Sequence, residues 1–105
     1  MKLVRNFIPQ IIEGEGRECE WRRVSDPDEH LSKLSEKMRE EVAEFVENPS
    51  YEEAADMLEV LLCLCSIYGL TFGSVERTAQ AKRAERGGFD GGVVLLECKD
   101  LPAKG

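Results

Sequence analysis

Residues 26–56, DPDEHLSKLSEKMREEVAEFVENPSYEEAAD, decide the fold of this chain. Asp26 can cap a helix, Pro27 suits its first position, and Glu29 falls where a capping-box acid reaches back. Leu31, Leu34, Met38, Val42 and Phe45 then follow at three- and four-residue steps and draw an apolar stripe down one side. Asn48-Pro49 stops the helix, because proline cannot continue it and the residue before proline is pushed out of the helical region. Ser50 caps the next one. The spacing therefore predicts helices over 26–48 and 50–68 with a short connection, which makes them antiparallel neighbours.

Working outward, Gly69 takes the position past the end of the second helix, and Thr71 caps a third over 71–86 that Gly87-Gly88 ends. Residues 3–12 read as a short helix with Pro9 in its first turn, terminated by Gly14 and Gly16. Cys19 to Val24 within the leading segment 1–24, and residues 93–99 after the glycine pair Gly91-Gly92, are candidate short strands. The second long helix is apolar nearly all round: Ala54, Leu58, Leu61, Leu62 and Cys65 form one face, and Val60, Leu64 and Ile67 much of the other. Such a helix must be buried nearly all round. Two other long helices in so short a chain can hardly cover it. The expected architecture is a single mostly α domain over 1–105, an antiparallel helical bundle completed by oligomerisation as a dimer or tetramer.

At 105 residues the chain has room for one core and not two. Its 14 Lys and Arg against 21 Asp and Glu leave a net charge of −7, which repels nucleic acid polymers and anionic membrane surfaces. No apolar run approaches the roughly 20 residues of a membrane span. The opening Met-Lys-Leu-Val-Arg-Asn lacks the apolar core of a secretory signal, so a cytoplasmic location is expected. Cys19, Cys63, Cys65 and Cys98 have no Cys-x-x-Cys spacing and read as buried free thiols in a reducing compartment. Trp21 reads as a packing anchor.

The acids carry the chemistry. Glu41 falls at the edge of the first helix's stripe, among Leu34, Met38 and Phe45, with Glu44 one turn along. On the second helix Glu53 and Asp56 share the azimuth of Val60 and Ile67. Each pair is three residues apart, so its members are neighbours on the helix surface. Closing the hairpin brings the two pairs together. Four carboxylates meeting in a part-buried place repel one another and lose hydration, and a divalent cation resolves both problems. Oxygen ligands without histidine or cysteine favour Mg²⁺ or Mn²⁺, and Mg²⁺ commonly bridges carboxylates to phosphate oxygens. Phosphate chemistry on a nucleotide-like substrate is the implied function. A plainer reading stands beside it: Ser50-x-x-Glu53 is also a capping box, acids near a helix start suit its dipole, and Glu40, Glu41 and Glu44 can form a solvated face pairing with Lys37.

Glu40-Glu41-Val-Ala-Glu44 followed by Glu53-Ala-Ala-Asp56 resembles the E-E-x-x-E … E-x-x-D signature of the all-α NTP pyrophosphohydrolases, which include MazG-like enzymes, dimeric dUTPases and phosphoribosyl-ATP pyrophosphohydrolase. The opening Lys2-Leu3-Val4-Arg5-Asn6-Phe7-Ile8-Pro9 resembles the K-L-V-R-D-K-I-P start of a small MazG-like group, with Asn6 and Phe7 departing from it. Lys82-Arg83-Ala84-Glu85-Arg86-Gly87-Gly88-Phe89 resembles that group's K-R-x-x-R-G-G-F ending. The resemblance implies a Mg²⁺- or Mn²⁺-dependent hydrolase that cuts a nucleoside triphosphate between its α- and β-phosphates, giving a monophosphate and pyrophosphate, in house-cleaning of non-canonical nucleotides. It implies Glu41, Glu44, Glu53 and Asp56 as metal ligands, Glu40 and Glu41 as catalytic acids, and Lys82, Arg86, Lys2 and Arg5 as binders of substrate phosphate. It also implies a homodimer or tetramer. Two alternatives remain at this point: phosphoribosyl-ATP pyrophosphohydrolase activity in histidine biosynthesis, and a non-catalytic helical interaction module. In the latter, Lys82, Arg83 and Arg86 simply suit a helix C-terminus.

Overall fold

The computed structural model describes residues 1–103. Four helices occupy them: α1 (Ile8–Gly14), α2 (Pro27–Glu47), α3 (Tyr51–Ile67) and α4 (Phe72–Arg86). The fold is all-helical, as the hydrophobic spacing requires. The candidate strands at 19–24 and 93–99 do not form, and no strand occurs among the described residues. Val93, Val94, Leu95 and Leu96 are exposed. Strand-forming residues become a strand only against a partner edge, and this segment meets none among the described residues.

The chain divides into two compact units, the first covering Met1–Phe72 and the second starting at Gly73. In the first, α2 and α3 pack on each other, and the three-residue connection 48–50 folds α3 back along α2. Both long helices start as their sequences dictate. The Asp26 side chain accepts from the Glu29 backbone N–H at 2.8 Å, and Ser50 Oγ accepts from that of Glu53 at 3.1 Å. The Glu29 carboxylate does not complete the box on its own cap. It reaches one residue further back, where its Oε1 accepts from the Ser25 N–H at 2.8 Å, and it takes a forked pair from Arg22 at 2.8 Å per bond. α3 ends where Gly69, at φ +71°, turns the chain through the left-handed region and the Leu70 N–H closes back on the Cys65 carbonyl.

The core is thin. Leu34, Val60, Cys65 and Pro9 are buried, and Glu41 is buried with them. α3 turns inward the side that carries Val60, the side of Glu53 and Asp56, while Leu58, Leu61 and Ile67 stay exposed. Val42 and Val46 of α2 are exposed as well, so the apolar stripe of α2 extends past what α3 covers. Trp21 is half-exposed and holds the Arg23 guanidinium 5.4 Å from its ring centre, in place of the core role expected for it. The four cysteines are free, but only Cys65 is buried as expected; Cys19 and Cys63 are half-buried and Cys98 is exposed.

The second unit carries α4 from Gly73 onward and the segment after it. α4 ends in the basic pair Arg83 and Arg86, and Gly87 leaves it at φ +84°. No single helix among the described residues is long and apolar enough to cross a membrane.

Candidate metal centre

The hairpin of α2 and α3 gathers the acids as the spacing predicts. Carboxylate oxygens of Glu41, Glu53 and Asp56 lie within 4.8 Å of one another, across the two helices. Those of Glu40, Glu41 and Glu44 form a second such group on α2. Glu41 belongs to both. The four expected ligands, together with Glu40, thus occur as two triads joined through Glu41, with Glu44 grouped beside Glu40 rather than with Glu53 and Asp56.

Glu41 sits in the interface because it lies on the edge of the stripe that α3 covers, and it is only 3% exposed. A carboxylate loses most of its hydration there and needs partners. Lys37, one turn earlier, lies 3.0 Å from Glu41 Oε1 and 3.5 Å from Glu40 Oε1. Partial burial pulls the Lys37 ammonium toward lower pKa. The hydrogen bond and charge of Glu41, with the charge of Glu40, outweigh this and raise it above its ordinary value. Glu41 Oε2 and Glu53 Oε2 are buried and have no hydrogen-bond partner. Two orphaned anionic oxygens in one acidic cluster are costly, since unmet buried polar atoms are rare in folded proteins.

The electrostatics spread outward from this point. Glu44 is pushed up from the ordinary carboxylate range by partial loss of hydration, then by the charges of Glu41, Glu53 and Glu40. Glu40 moves down instead, chiefly through its hydrogen bond from Lys2, with the charges of Lys37 and Lys2 adding to it. Lys2 Nζ lies 3.3 Å from Glu40 Oε1, and Arg5 Nη2 lies 2.6 Å from Asp56 Oδ1. The opening segment therefore lays its two cations on the acids of both helices. Lys82 and Arg86 are exposed on α4 and belong to the second unit.

The cluster fits a divalent cation. It is oxygen-only, multiply anionic and built on two helices, and it keeps buried oxygens that nothing else satisfies. The plain capping reading accounts for the Glu53 backbone N–H on Ser50 and for Lys37 facing Glu40. It leaves the burial of Glu41 and the orphaned Oε2 atoms without a role. Sequence reasoning missed how centrally Lys37 is placed. The signal was its four-residue spacing to Glu41, which reads as a surface pair until Glu41 is known to be buried. Comparisons with family models, curated proteins and solved structures returned no match to this chain.

Proposed function

We propose that this chain is a Mg²⁺- or Mn²⁺-dependent nucleoside triphosphate pyrophosphohydrolase of the all-α, MazG-like kind, cleaving between the α- and β-phosphates to give a monophosphate and pyrophosphate. The observation that carries the reading is the buried Glu41, which joins Glu53 and Asp56 across the hairpin while its Oε2 goes unpaired. In this proposal Glu41, Glu44, Glu53 and Asp56 hold the metal. Bound there, a divalent ion neutralises triphosphate charge and lowers the pKa of a coordinated water. Lys37 holds one oxygen of Glu41 in place. Glu40, which faces Lys2 and Lys37, and Glu41 are the candidate catalytic acids. By the resemblance, Lys82 and Arg86 of the second unit are candidate binders of substrate phosphate, and non-canonical nucleotides in the cytoplasm are the candidate substrates.

A second copy of the chain is the inferred partner. Leu58, Leu61 and Ile67 of α3 and Val42 and Val46 of α2 are exposed in the single chain, and a core as thin as Leu34, Val60 and Cys65 gains most from being shared. Sedimentation at micromolar concentration tests this, and a monomer there rejects it.

A panel of nucleoside triphosphates, their deoxy forms and phosphoribosyl-ATP, assayed for released pyrophosphate with Mg²⁺ or Mn²⁺, tests the activity. Release from one or more, abolished by Glu41→Gln and Asp56→Asn, supports the proposal. No release from any, with no thermal stabilisation by either metal, returns the chain to a helical interaction module.

A further inference from the structure

Arg5 and Asp56 are 51 positions apart, yet the guanidinium reaches Asp56 Oδ1 at 2.6 Å. Asp56 belongs at the same time to the triad with Glu41 and Glu53, where the Oε2 atoms of both glutamates are buried without partners. Cation supply to the triad is thus uneven. Asp56 receives a full charge from outside the hairpin, and two oxygens of its neighbours receive nothing. The donor is also loosely held: Arg5 precedes α1 in a stretch without regular structure, and its side chain remains 54% exposed in the pair. Lys2 of the same stretch makes a second such contact on Glu40.

We infer that Arg5 is a tethered counter-ion of the acidic centre, competing with a divalent cation for the carboxylate of Asp56 and so setting how much free ion the centre needs. The inference rests on the metal-binding reading of that centre. A guanidinium brings one charge and satisfies one of the three acids, whereas a divalent ion brings two charges and can take oxygens from all three. The ion therefore wins at sufficient concentration, and the arginine raises the concentration required. The size of the effect follows from exposure. Solvent-screened pairs are worth up to about 1 kcal/mol, a factor of about five in binding.

The test is Mn²⁺ binding to the full chain, followed by titration calorimetry at low ionic strength without nucleotide. Arg5→Gln should bind Mn²⁺ roughly two- to fivefold more tightly than the wild type, and the gain should shrink in high salt. Arg5→Lys, which keeps the charge, should stay near the wild type. Arg17→Gln, which removes the same charge from a pair with Glu15, should also leave affinity near the wild type. A merely structural role for Arg5 predicts the opposite sign, weaker binding when it is lost. Affinity in Arg5→Gln that is equal to the Arg17→Gln control, or lower, overturns the counter-ion role while leaving the metal centre standing. Absence of Mn²⁺ binding in the wild type overturns the centre and the counter-ion together.

Discussion

Lys37 and Glu41, one helical turn apart on α2, meet at 3.0 Å, and the lysine satisfies only one of the two oxygens of a carboxylate that is almost wholly buried. Removing one partner of a buried ion pair usually destabilises a protein. Here the lysine keeps a second partner in Glu40, whereas the other close neighbours of the glutamate are the acids of α3, which repel it. Loss of Lys37 would therefore leave a buried carboxylate among like charges.

Glu53→Gln should make the protein more stable, by roughly 1 kcal/mol at neutral pH. Its carboxylate lies among Glu41 and Asp56 with Oε2 unpaired, and an amide removes the repulsion and offers N–H donors to those neighbours. Chemical denaturation measures the gain. The same variant should lose the thermal stabilisation that Mg²⁺ or Mn²⁺ gives the wild type; a variant no more stable than the wild type, yet still stabilised by metal, contradicts both parts.

Ser50→Ala should cost about 1 kcal/mol, because the Glu53 N–H loses its acceptor at the start of α3. Glu53 and Asp56 sit in the first two turns of that helix, so fraying there disperses two metal ligands. Metal affinity should fall along with stability. Ser50→Asp, which restores a cap, should recover both.

Acid should weaken the start of α2. Hydrogen bonds from Arg22 and from the Ser25 backbone hold the Glu29 carboxyl down at about 2, against 4.5 ordinarily. A depressed acid contributes stability that is complete above about pH 4.5 and is lost as the pH falls toward 2. Stability measured across that window should decline in the wild type and decline less steeply in Glu29→Gln. Equal slopes for the two would remove Glu29 from the account.

Glu44 should act with the opposite sign. Its pKa is raised, so its protonated form is favoured in the folded protein, and its contribution is lost as the pH rises from the ordinary value through the shifted one. Glu44→Gln should therefore be more stable than the wild type at pH 7 and indistinguishable from it at pH 3. Added Mg²⁺ should narrow the difference at pH 7, since an ion near Glu44 offsets the same repulsion.

The helices were legible because their punctuation is local. Asp26, Pro27, Pro49, Ser50 and Gly69 act through backbone chemistry that needs no tertiary context, and the boundaries of α2, α3 and α4 fall within about a residue of their expected places, whereas the leading helix, expected over 3–12, runs Ile8–Gly14. The convergence of Glu41, Glu53 and Asp56 was legible for a related reason, as helix period plus a short connection leaves little freedom. The candidate strands were misread because Val93–Leu96 has the composition of a strand without the neighbour that makes one. The contact of Arg5 with Asp56 was out of reach, since no local pattern links positions 51 residues apart. Periodicity also could not tell which side of α3 turns inward. It offered two apolar faces, and α2 packs on the one that carries the acids.

The link between α2 and α3 is only three residues long, 48–50, and this makes it a gauge as well as a hinge. One extra residue there, if wound into α3, would swing everything after it by about 100° around the axis. Glu53 would take the exposed place of Ala54, Asp56 would move to that of Met57, and Glu59 would replace Val60 on the inner side. The length of this loop is thus bound to the chemistry as closely as the Ser50 cap at its end.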